Sequence, residues 1–383
     1  MKISRSLFAT TLSSVLLTGC SFLGGSDEIE PAKLENIDQQ FELSSVWSVK
    51  AVSNNKEYWP NLRMAVSDSL LFAADHGGSV VALDVQTGKQ QWSVDLDLSV
   101  SGGVGYGAQK LVLGTIEGQI YALNAKDGSV LWSSSVSSEV LSSPAVNQKI
   151  VVAQSIDNRL YAFDAQTGKE LWQHDAGAPI LSVRGNSSSM ILNNIVIAAF
   201  DNGKLIAFNT ENGSLVWETR LALPKGRTEL ERMIDVDGEP ILVGDIIYSV
   251  SYQGRLGALT RGTGRNLWFQ DSSSHYSPAF SDGKLFVTEA KNDAVRAFKA
   301  GNGQEIWENN QLQYRELTGP VSFGDSIAVA DAEGYLHLLN TETGVFMGRT
   351  KVGGSGVSTP IIVIGETLLV QANNGSISAY KIQ

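Results

Sequence analysis

The sequence has very little of the chemistry that builds disulfide frameworks, metal centres and catalytic sites. Cys20 is the single cysteine among 383 residues, so no disulfide can form within the chain. The four histidines lie far apart without metal-ligand spacing, and no Gly-x-Ser-x-Gly nucleophile motif occurs. We therefore expect no metal, no cofactor and no enzymatic activity. The histidines are His76, His174, His275 and His337.

Basic runs and membrane-spanning apolar runs are absent as well. The 29 lysines and arginines are scattered among 40 carboxylates, which gives a formal net charge of −11. Such a chain lacks the positive patch that a nucleic-acid partner requires, so no nucleic acid is expected among its partners. The apolar stretch at residues 7–17 is too short to span a bilayer.

The first twenty residues are typical of an export signal. Lys2 and Arg5 precede the apolar stretch, and small residues lead into Cys20. The segment resembles a bacterial lipoprotein signal, which implies cleavage before Cys20, lipidation of that cysteine and transfer to the periplasmic face of the outer membrane. An ordinary signal peptide with an incidental cysteine is the alternative. We interpret residues 1–19 as the signal peptide and residues 20–40 as the lipidated cysteine and a flexible tether.

What the sequence does contain is a repeat of about forty residues. Its pattern is alanine, five residues, glycine, three residues and tryptophan. A fixed period of this length indicates a solenoid, a propeller or an array. The six full copies are Ala82–Gly88–Trp92, Ala122–Gly128–Trp132, Ala162–Gly168–Trp172, Ala207–Gly213–Trp217, Ala258–Gly264–Trp268 and Ala297–Gly303–Trp307.

Each repeat has the pattern of short β-strands joined by tight turns. In the third copy, apolar and β-branched runs occupy residues 149–155, 159–164 and 170–174, and turn residues separate them. The segment around Pro144 adds a fourth strand. Units of four strands that repeat in this way predict the blades of a β-propeller.

The turn in the middle of each repeat gives the number of blades. Eight such turns occur, but the eighth repeat ends without a tryptophan, whereas residues 41–50 carry an extra strand with Trp47. We expect that strand to complete the last blade, so that the fold is an all-β, eight-bladed propeller over residues 41–383. The turns lie near Gly78, Gly118, Asn158, Gly203, Gly254, Asp293, Gly334 and Gly375.

The repeated tryptophans have a structural and a functional interpretation. A residue at one fixed place in every blade most simply wedges between neighbouring sheets, and the alternative is a stacking platform for ligands. The seventh repeat has Gly348 where tryptophan is expected. We expect a looser contact between blades at that position.

Two connections between blades are longer than the others. Successive tryptophans are 40 residues apart up to Trp172, then 45 apart to Trp217 and 51 apart to Trp268. The extra residues lie in the connections at 176–186 and 221–239, which belong to adjacent blades and should emerge on one face. Insertions on one face of a repeat protein commonly form its binding surface. A pair of solvated loops is the alternative.

Two further motifs have weak functional interpretations. The glycine-rich segment 102–107 has no helix after it to present phosphate-binding amides, so close packing near the axis is favoured over a nucleotide loop. Residues 235–239 resemble a fragment of a calcium loop but lack its third carboxylate position and distal glutamate.

The repeats resemble those of quinoprotein dehydrogenases, in which Ala-x-Asp-x-x-Thr-Gly-x-x-x-Trp recurs. Residues 162–172 match that pattern at every constrained position. The resemblance implies enzymes that hold their quinone beside a disulfide between adjacent cysteines and a calcium ion. Because the chain has one cysteine, that disulfide is impossible. The repeat is therefore evidence for the fold rather than for a cofactor.

Residues 179–185 and 232–237, together with the lipoprotein-like signal and eight repeats, resemble the outer-membrane protein assembly factor BamB family over essentially the whole chain. The resemblance implies a propeller without enzymatic activity that binds the periplasmic POTRA region of the barrel-assembly protein BamA. Val183 stands where that family more often has leucine. Carried over to this sequence, the implied contact residues are Leu181, Val183, Arg184, Asp235 and Asp237.

Three other hypotheses stay open on the sequence alone. One is a quinone-dependent dehydrogenase, and another is a propeller that binds cell-wall polysaccharide through aromatic residues at a channel mouth. A third is that unfolded outer-membrane proteins pair with exposed blade edges by β-augmentation. The aromatic residues Tyr58 and Trp59, followed by Pro60, lie in a further long connection that is a candidate for a second contact or for a channel plug.

Overall fold

A computed structural model describes residues 30–53, 62–177, 187–222, 227–228 and 234–383. The compact unit is Pro31–Gln383. Over the described residues its regular structure is entirely β, and no helix long and apolar enough to cross a membrane is found among them. Cys20 and the Tyr58-Trp59-Pro60 segment lie outside the described residues.

The first half of the ring contains four blades. Their strands are β2 (Ala65–Val66), β3 (Leu70–Ala74), β4 (Ser79–Asp84) and β5 (Gln90–Asp95) in blade 1; β6 (Val100–Gly107), β7 (Lys110–Thr115), β8 (Gln119–Asn124) and β9 (Val130–Ser135) in blade 2; β10 (Ala145–Val146), β11 (Ile150–Ser155), β12 (Arg159–Asp164) and β13 (Glu170–Asp175) in blade 3; and β14 (Met190–Leu192), β15 (Ile195–Ala199), β16 (Lys204–Asn209) and β17 (Leu215–Arg220) in blade 4.

The second half contains the other four blades and the closing strand. Their strands are β18 (Ile241–Val243), β19 (Ile246–Val250), β20 (Arg255–Thr260) and β21 (Asn266–Asp271) in blade 5; β22 (Ala279–Ser281), β23 (Lys284–Thr288), β24 (Val295–Lys299) and β25 (Glu305–Asn309) in blade 6; β26 (Val321–Phe323), β27 (Ser326–Ala330), β28 (Tyr335–Asn340) and β29 (Phe346–Lys351) in blade 7; and β30 (Ile362–Ile364), β31 (Thr367–Gln371), β32 (Ser376–Ile382) and β1 (Leu43–Lys50) in blade 8.

Each blade is a four-stranded antiparallel sheet, so the predicted eight-bladed propeller is confirmed. In blades 1 to 7 the strands pair in chain order. Blade 8 is completed by β1, which pairs with β32 from Leu43 opposite Ile382 to Lys50 opposite Ser376. The prediction that the N-terminal strand closes the ring is therefore confirmed, and it leaves no gap between the first and last blades.

The hydrophobic core lies between the blades rather than within a single layer. The second and third strands of each blade are buried on both faces, as in β11, where all six residues are buried. Strands buried on both sides are apolar almost throughout, and this accounts for the runs of valine, leucine and alanine in every repeat. The outer strands alternate between exposed and covered residues because one side faces solvent.

The connections between blades all lie on one face of the ring. Directly after the outer strand of six blades the chain donates a backbone hydrogen bond to the turn between the second and third strands of the same blade. Leu221 N donates to Gly203 O at 2.9 Å, and Val352 N donates to Gly334 O at 2.7 Å. We call this the connection face, and the face with the other turns the opposite face.

A tryptophan on the outer strand joins each blade to the next one at seven of the eight junctions. Its indole N–H donates to a carbonyl of the following blade, at 3.0 Å from Trp172 to Thr210 O. The indole ring also packs on the turn glycine of that following blade. A Cβ at Gly213 would be 2.7 Å from the Trp172 ring. The indole–glycine contacts are Trp47–Gly88, Trp92–Gly128, Trp132–Gly168, Trp172–Gly213, Trp217–Gly264, Trp268–Gly303 and Trp307–Gly344.

The rest of the repeat motif shapes the turn that receives the indole. The Asp164 side chain accepts hydrogen bonds from the backbone N–H of Thr167 and from its hydroxyl, both at 2.8 Å. The Thr167 hydroxyl lowers the pKa of Asp164 below its ordinary value, so the carboxylate remains ionised. Gly168 follows with a φ of +71°, which a residue with a side chain rarely adopts. The Asp-x-x-Thr-Gly-x-x-x-Trp motif therefore builds the junction between blades.

The eighth junction, between blades 7 and 8, uses the N-terminal segment instead. At Gly348 a Cβ would lie 2.8 Å from the Phe41 carbonyl oxygen. Gln40 N and Phe41 N both donate to Met347 O, at 2.8 and 3.0 Å. The expectation of a looser contact here was wrong, because the absence of a side chain at Gly348 lets the N-terminal backbone pack directly on the outer strand.

Part of the segment predicted as a tether, residues 20–40, contacts the ring. Residues 31–41, which we call the strap, lie on blades 6 and 7. Leu34 and Ile37 pack against a core cluster that includes Leu312 and Phe346. The sequence of this stretch is polar overall, and these two apolar side chains pack it against the ring.

The glycine-rich segment forms the inner strand β6 of blade 2, as the packing interpretation predicted. A Cβ at Gly102 would lie 2.6 Å from the carbonyl oxygens of both Val140 and Ser142. A Cβ at Gly105 or at Gly107 would lie even closer to the backbone of the following blade. These glycines allow two inner strands to approach near the axis, so the segment is occupied by protein packing and is not a nucleotide loop.

The indole–glycine contact predicts a selective effect of adding one methyl group. In Gly264→Ala the added Cβ overlaps the atoms of the Trp217 indole, and the backbone φ there is +63°. In Gly262→Ala, in the same turn, the added Cβ has no atom within 4 Å. We expect Gly264→Ala to lower the apparent free energy of unfolding by about 2–4 kcal/mol, from the left-handed backbone and the overpacking together. Urea unfolding of both variants measures this difference in stability. Equal unfolding midpoints for the two variants would contradict the indole–glycine contact.

Candidate functional site

The candidate site is built by the two long connections, between β13 and β14 and between β17 and β18. The structure describes residues 176–177 and 187–189 of the first connection and residues 221–222, 227–228 and 234–240 of the second. The predicted contact residues Leu181, Val183 and Arg184 lie outside the described residues. Asp235 and Asp237 are described, and they lie on the connection face over blades 4 and 5.

The two long connections contact each other, as expected for connections that belong to adjacent blades. The Ser187 hydroxyl donates to the Gly238 carbonyl at 3.2 Å. Gly238 is also pressed against the next connection, where a Cβ would lie 2.5 Å from Tyr276 O. The ends of both long connections therefore pack against each other near the axis.

The second connection is held by alternate apolar residues. Ile234 and Val236 are buried, and the Ile234 side chain covers Gly203 in the turn of blade 4. Between them, Asp235 pairs with Tyr252 in the turn of blade 5, and Tyr252 N donates to Asp235 O at 2.7 Å. The connection therefore spans the turns of two blades like a short extra strand.

Asp235 is the most unusual residue of the site because its side chain is 0% exposed. It lies against two other carboxyl groups, those of Asp201 and Asp237. Burial, and then the charges of Asp237 and Asp201, raise the pKa of Asp235 above the neutral range. Asp235 is therefore a neutral acid at pH 7, and it can share its proton with a neighbouring carboxylate.

Asp237 lies at the edge of the group formed by the carboxyls of Asp201, Asp235 and Asp237, and its side chain is 11% exposed. One of its oxygens is 3.1 Å from Nδ1 of His275, on the connection between blades 5 and 6. The His275 ring stacks on Tyr252 at a centroid distance of 4.2 Å. Asp237 is thus oriented by a half-buried imidazole, and a small part of its side chain reaches the surface.

Glu239 ends the second connection at the centre of the ring. It meets Arg63, which precedes the inner strand of blade 1, with 3.3 Å between Oε2 and Nη1. Blades 1 and 5 are opposite each other in a ring of eight, so this ion pair crosses the channel. Burial raises the pKa of Glu239, and Arg63 opposes that shift. Both residues line a central cavity of about 420 Å³.

Sequence reasoning missed the pair of Arg63 and Glu239. Their separation of 176 positions leaves no local signal, and only the closure of the ring brings them together. Sequence reasoning also missed Asp201, Tyr252 and His275, which come from three different turns or connections. A turn residue beside a long connection was the available signal for each of them.

The alternative interpretation of residues 235–239 as part of a calcium loop gains no support. In the part of the chain that the structure describes, no group of three or more His, Cys, Asp or Glu side chains is arranged to hold a metal ion.

Comparison with known proteins places the chain in a family. The profile described as "Outer membrane protein assembly factor BamB" matches residues 76–309 and 291–383. The chain belongs to the BamB family. The BamB of Pseudomonas aeruginosa is 45% identical over 370 residues, covering 97% of each chain. That of Escherichia coli K12 is 34% identical over 388 residues, covering 98% of this chain and 99% of its own.

Solved structures agree with this assignment. The crystal structure of BamB from Moraxella catarrhalis superposes with a TM-score of 0.81 at 27% identity, covering 89% of this chain and all of that one. The quinohemoprotein alcohol dehydrogenase of Comamonas testosteroni superposes with a TM-score of 0.68 at 13% identity, covering 88% of this chain and 76% of that one. That second likeness shows the propeller fold alone. The chain is thus a BamB-type propeller rather than a quinoprotein dehydrogenase.

The protonation state of Asp235 predicts a pH-dependent effect of Asp235→Asn. Folded Asp235 keeps a proton that the unfolded chain releases above about pH 4, so its contribution to stability falls as the pH rises. Asparagine lacks this dependence. The stability of Asp235→Asn relative to wild type should therefore increase between pH 5 and pH 8, by at most about 1.4 kcal/mol per pH unit.

Urea unfolding at several pH values measures this difference. Glu211→Gln, which removes a carboxylate from an exposed turn, is the control and should show no such trend. A difference between Asp235→Asn and wild type that does not change with pH would mean that folded Asp235 is ionised.

Proposed function

We propose that this protein is a non-enzymatic scaffold lipoprotein of the outer-membrane β-barrel assembly machinery, and that it binds the periplasmic POTRA region of BamA. Membership of the BamB family supports the role in outer-membrane protein assembly. The observation that supports the docking surface is the contact between the two long connections, through Ser187 and Gly238, on the connection face.

The chemistry of the two connections suits a protein partner. The sequence of the first contains the apolar residues Leu181 and Val183, and Arg184 follows them directly. The second supplies Asp237 at the rim, held by His275. Apolar contacts surrounded by oriented charges are typical of interfaces in which a few residues carry most of the binding energy.

Asp235 has a different role in this proposal. With no exposed surface in the free protein, its side chain acts by positioning the second connection rather than by touching the partner. The neutral acid joins the turn of blade 4, through Asp201, to Asp237 at the rim. Replacing it with alanine should therefore disturb the docking surface indirectly, whereas asparagine should preserve it.

The proposed location is the periplasmic face of the outer membrane, through a lipid on Cys20. The positively charged start, the apolar stretch and the small residues before Cys20 support export and lipidation. The names of the relatives support an association with the outer membrane.

The blade edges give little support to the alternative of β-augmentation by unfolded substrates. The outer strands carry exposed apolar residues, such as Leu215 and Val345. Each outer strand is also irregular, since a register shift interrupts its pairing next to the tryptophan position, as between Ala207 and Phe208. A bulged edge twists away from the straight ladder that an added strand needs.

The docking surface predicts which substitutions weaken binding. We expect the double variant Arg184→Ala/Asp237→Ala to bind a soluble POTRA region of BamA at least tenfold more weakly than wild type, a loss of about 1.4 kcal/mol or more. Asp235→Asn should bind within about twofold of wild type, because the amide keeps the size and hydrogen-bonding capacity of the acid. Titration calorimetry or biolayer interferometry gives the affinities.

The matched control is Arg261→Ala/Asp245→Ala, which removes an exposed ion pair of the same residue types, 2.6 Å apart, on the opposite face of blade 5. It should bind like wild type. Equal binding by wild type and Arg184→Ala/Asp237→Ala would remove the docking surface from the proposal, and a wild-type protein without affinity for the POTRA region would remove the partner.

A further inference from the structure

The strap of residues 31–41 crosses the ring from one face to the other. At its C-terminal end it continues into β1, beside the end of β32 on the opposite face, where Gln383 N donates to Glu42 O at 2.9 Å. Toward its N-terminal end the strap runs along β29 of blade 7, where it contacts Met347 and Arg349. At its N-terminal end Ala32 N donates to Gln313 O at 2.8 Å, in the connection between blades 6 and 7. The strap therefore starts on the connection face.

Two arginines hold the strap by its backbone. Arg315 donates from Nη1 to the carbonyl of Ala32, and Arg349 donates from Nη1 to the carbonyl of Glu35, both at 2.8 Å. Carbonyl oxygens accept these bonds whatever the side chains are. The two arginines thus fix the path of the strap independently of the polar residues along it.

The arginines are themselves fixed by a buried network. Arg315 is 3% exposed, and its Nε donates to Asp331 at 2.7 Å. His337, fully buried, is 3.1 Å from the same Asp331 oxygen through Nε2, and its Nδ1 accepts from Nε of Arg349 at 3.0 Å. Burial lowers the pKa of His337, which keeps its Nδ1 free to accept that bond. One carboxylate therefore orients both strap-binding arginines.

Apolar contacts add to these hydrogen bonds. Leu34 and Ile37 are the only large aliphatic residues of the strap, and both are half-buried against the core between blades 6 and 7. The residues between and beside them, such as Lys33 and Asp38, are exposed. The strap is thus held at defined points, and these points can be altered without touching the core of a blade.

We propose that the strap is an orienting device, which makes the chain leave the ring on the connection face and so turns that face toward the membrane that holds Cys20. This inference rests on the proposed lipidation of Cys20. Ten residues separate Cys20 from Pro31, and covalent geometry limits the span between these two to about 40 Å. With the strap released, the span to Leu43 about doubles, and either face could turn toward the bilayer.

The test compares the distances of the two faces from a bilayer. Lys291→Cys on the connection face and Gly301→Cys on the opposite face are exposed positions in one blade, blade 6. A Cβ at Gly301 meets nothing within 4 Å. Each lipidated full-length variant is labelled with a fluorescent donor, reconstituted into phosphatidylethanolamine–phosphatidylglycerol vesicles with an acceptor on the lipid headgroups, and purified by flotation. Energy transfer reports proximity to the membrane.

We expect at least twofold higher transfer from position 291 than from position 301. The strap variant Leu34→Ser/Ile37→Ser should reduce this difference by more than half. The matched control Lys33→Ser/Asp38→Ser, which changes only exposed strap residues, should keep it. Arg349→Gln, which loses the bond to Glu35 O, should act like the strap variant.

Two results would overturn the inference and leave the proposed function intact: equal transfer from both positions in floated wild-type protein, or an unchanged difference in Leu34→Ser/Ile37→Ser. Failure of the wild-type protein to float with the vesicles would instead remove the lipid attachment, and the orienting role with it.

Discussion

The contact between an indole ring and a turn glycine is the interaction on which the rest of this structure depends. A blade presents only a small sheet, and it cannot bury both faces alone. At seven junctions a tryptophan donates a hydrogen bond to the next blade and packs on a glycine that has no Cβ to obstruct it. The same turn is shaped by the Asp-x-x-Thr part of the motif, so one short sequence supplies both halves of the junction.

Because the junctions hold the ring together, the connections on its faces can change length and composition. Two of them have done so, on adjacent blades, and their ends meet at Ser187 and Gly238. The second connection also reaches the centre of the ring, where Glu239 pairs with Arg63 of the opposite blade. A surface supported at the rim and at the axis is well suited to hold a partner in one orientation.

The sequence was sufficient to predict the blades, their number and the closing strand, because each of these repeats or completes a repeat. The strands expected at residues 159–164 and 170–174 agree with β12 and β13 to within one residue. The strap was not predictable, since Leu34 and Ile37 are two apolar residues in an acidic stretch. Nor was the burial of Asp235, which depends on Asp201, 34 positions earlier, and on the apolar residues at either side of it.

The central claim is that the protein is a rigid scaffold that docks through the long connections of blades 4 and 5. Hydrogen–deuterium exchange of the full chain, with and without the POTRA region of BamA, tests this most directly. The account predicts that protection on binding is confined to peptides from residues 176–189 and 221–240 and to the turns beneath them. Protection along the outer strands, or in the turns of the opposite face, would contradict it.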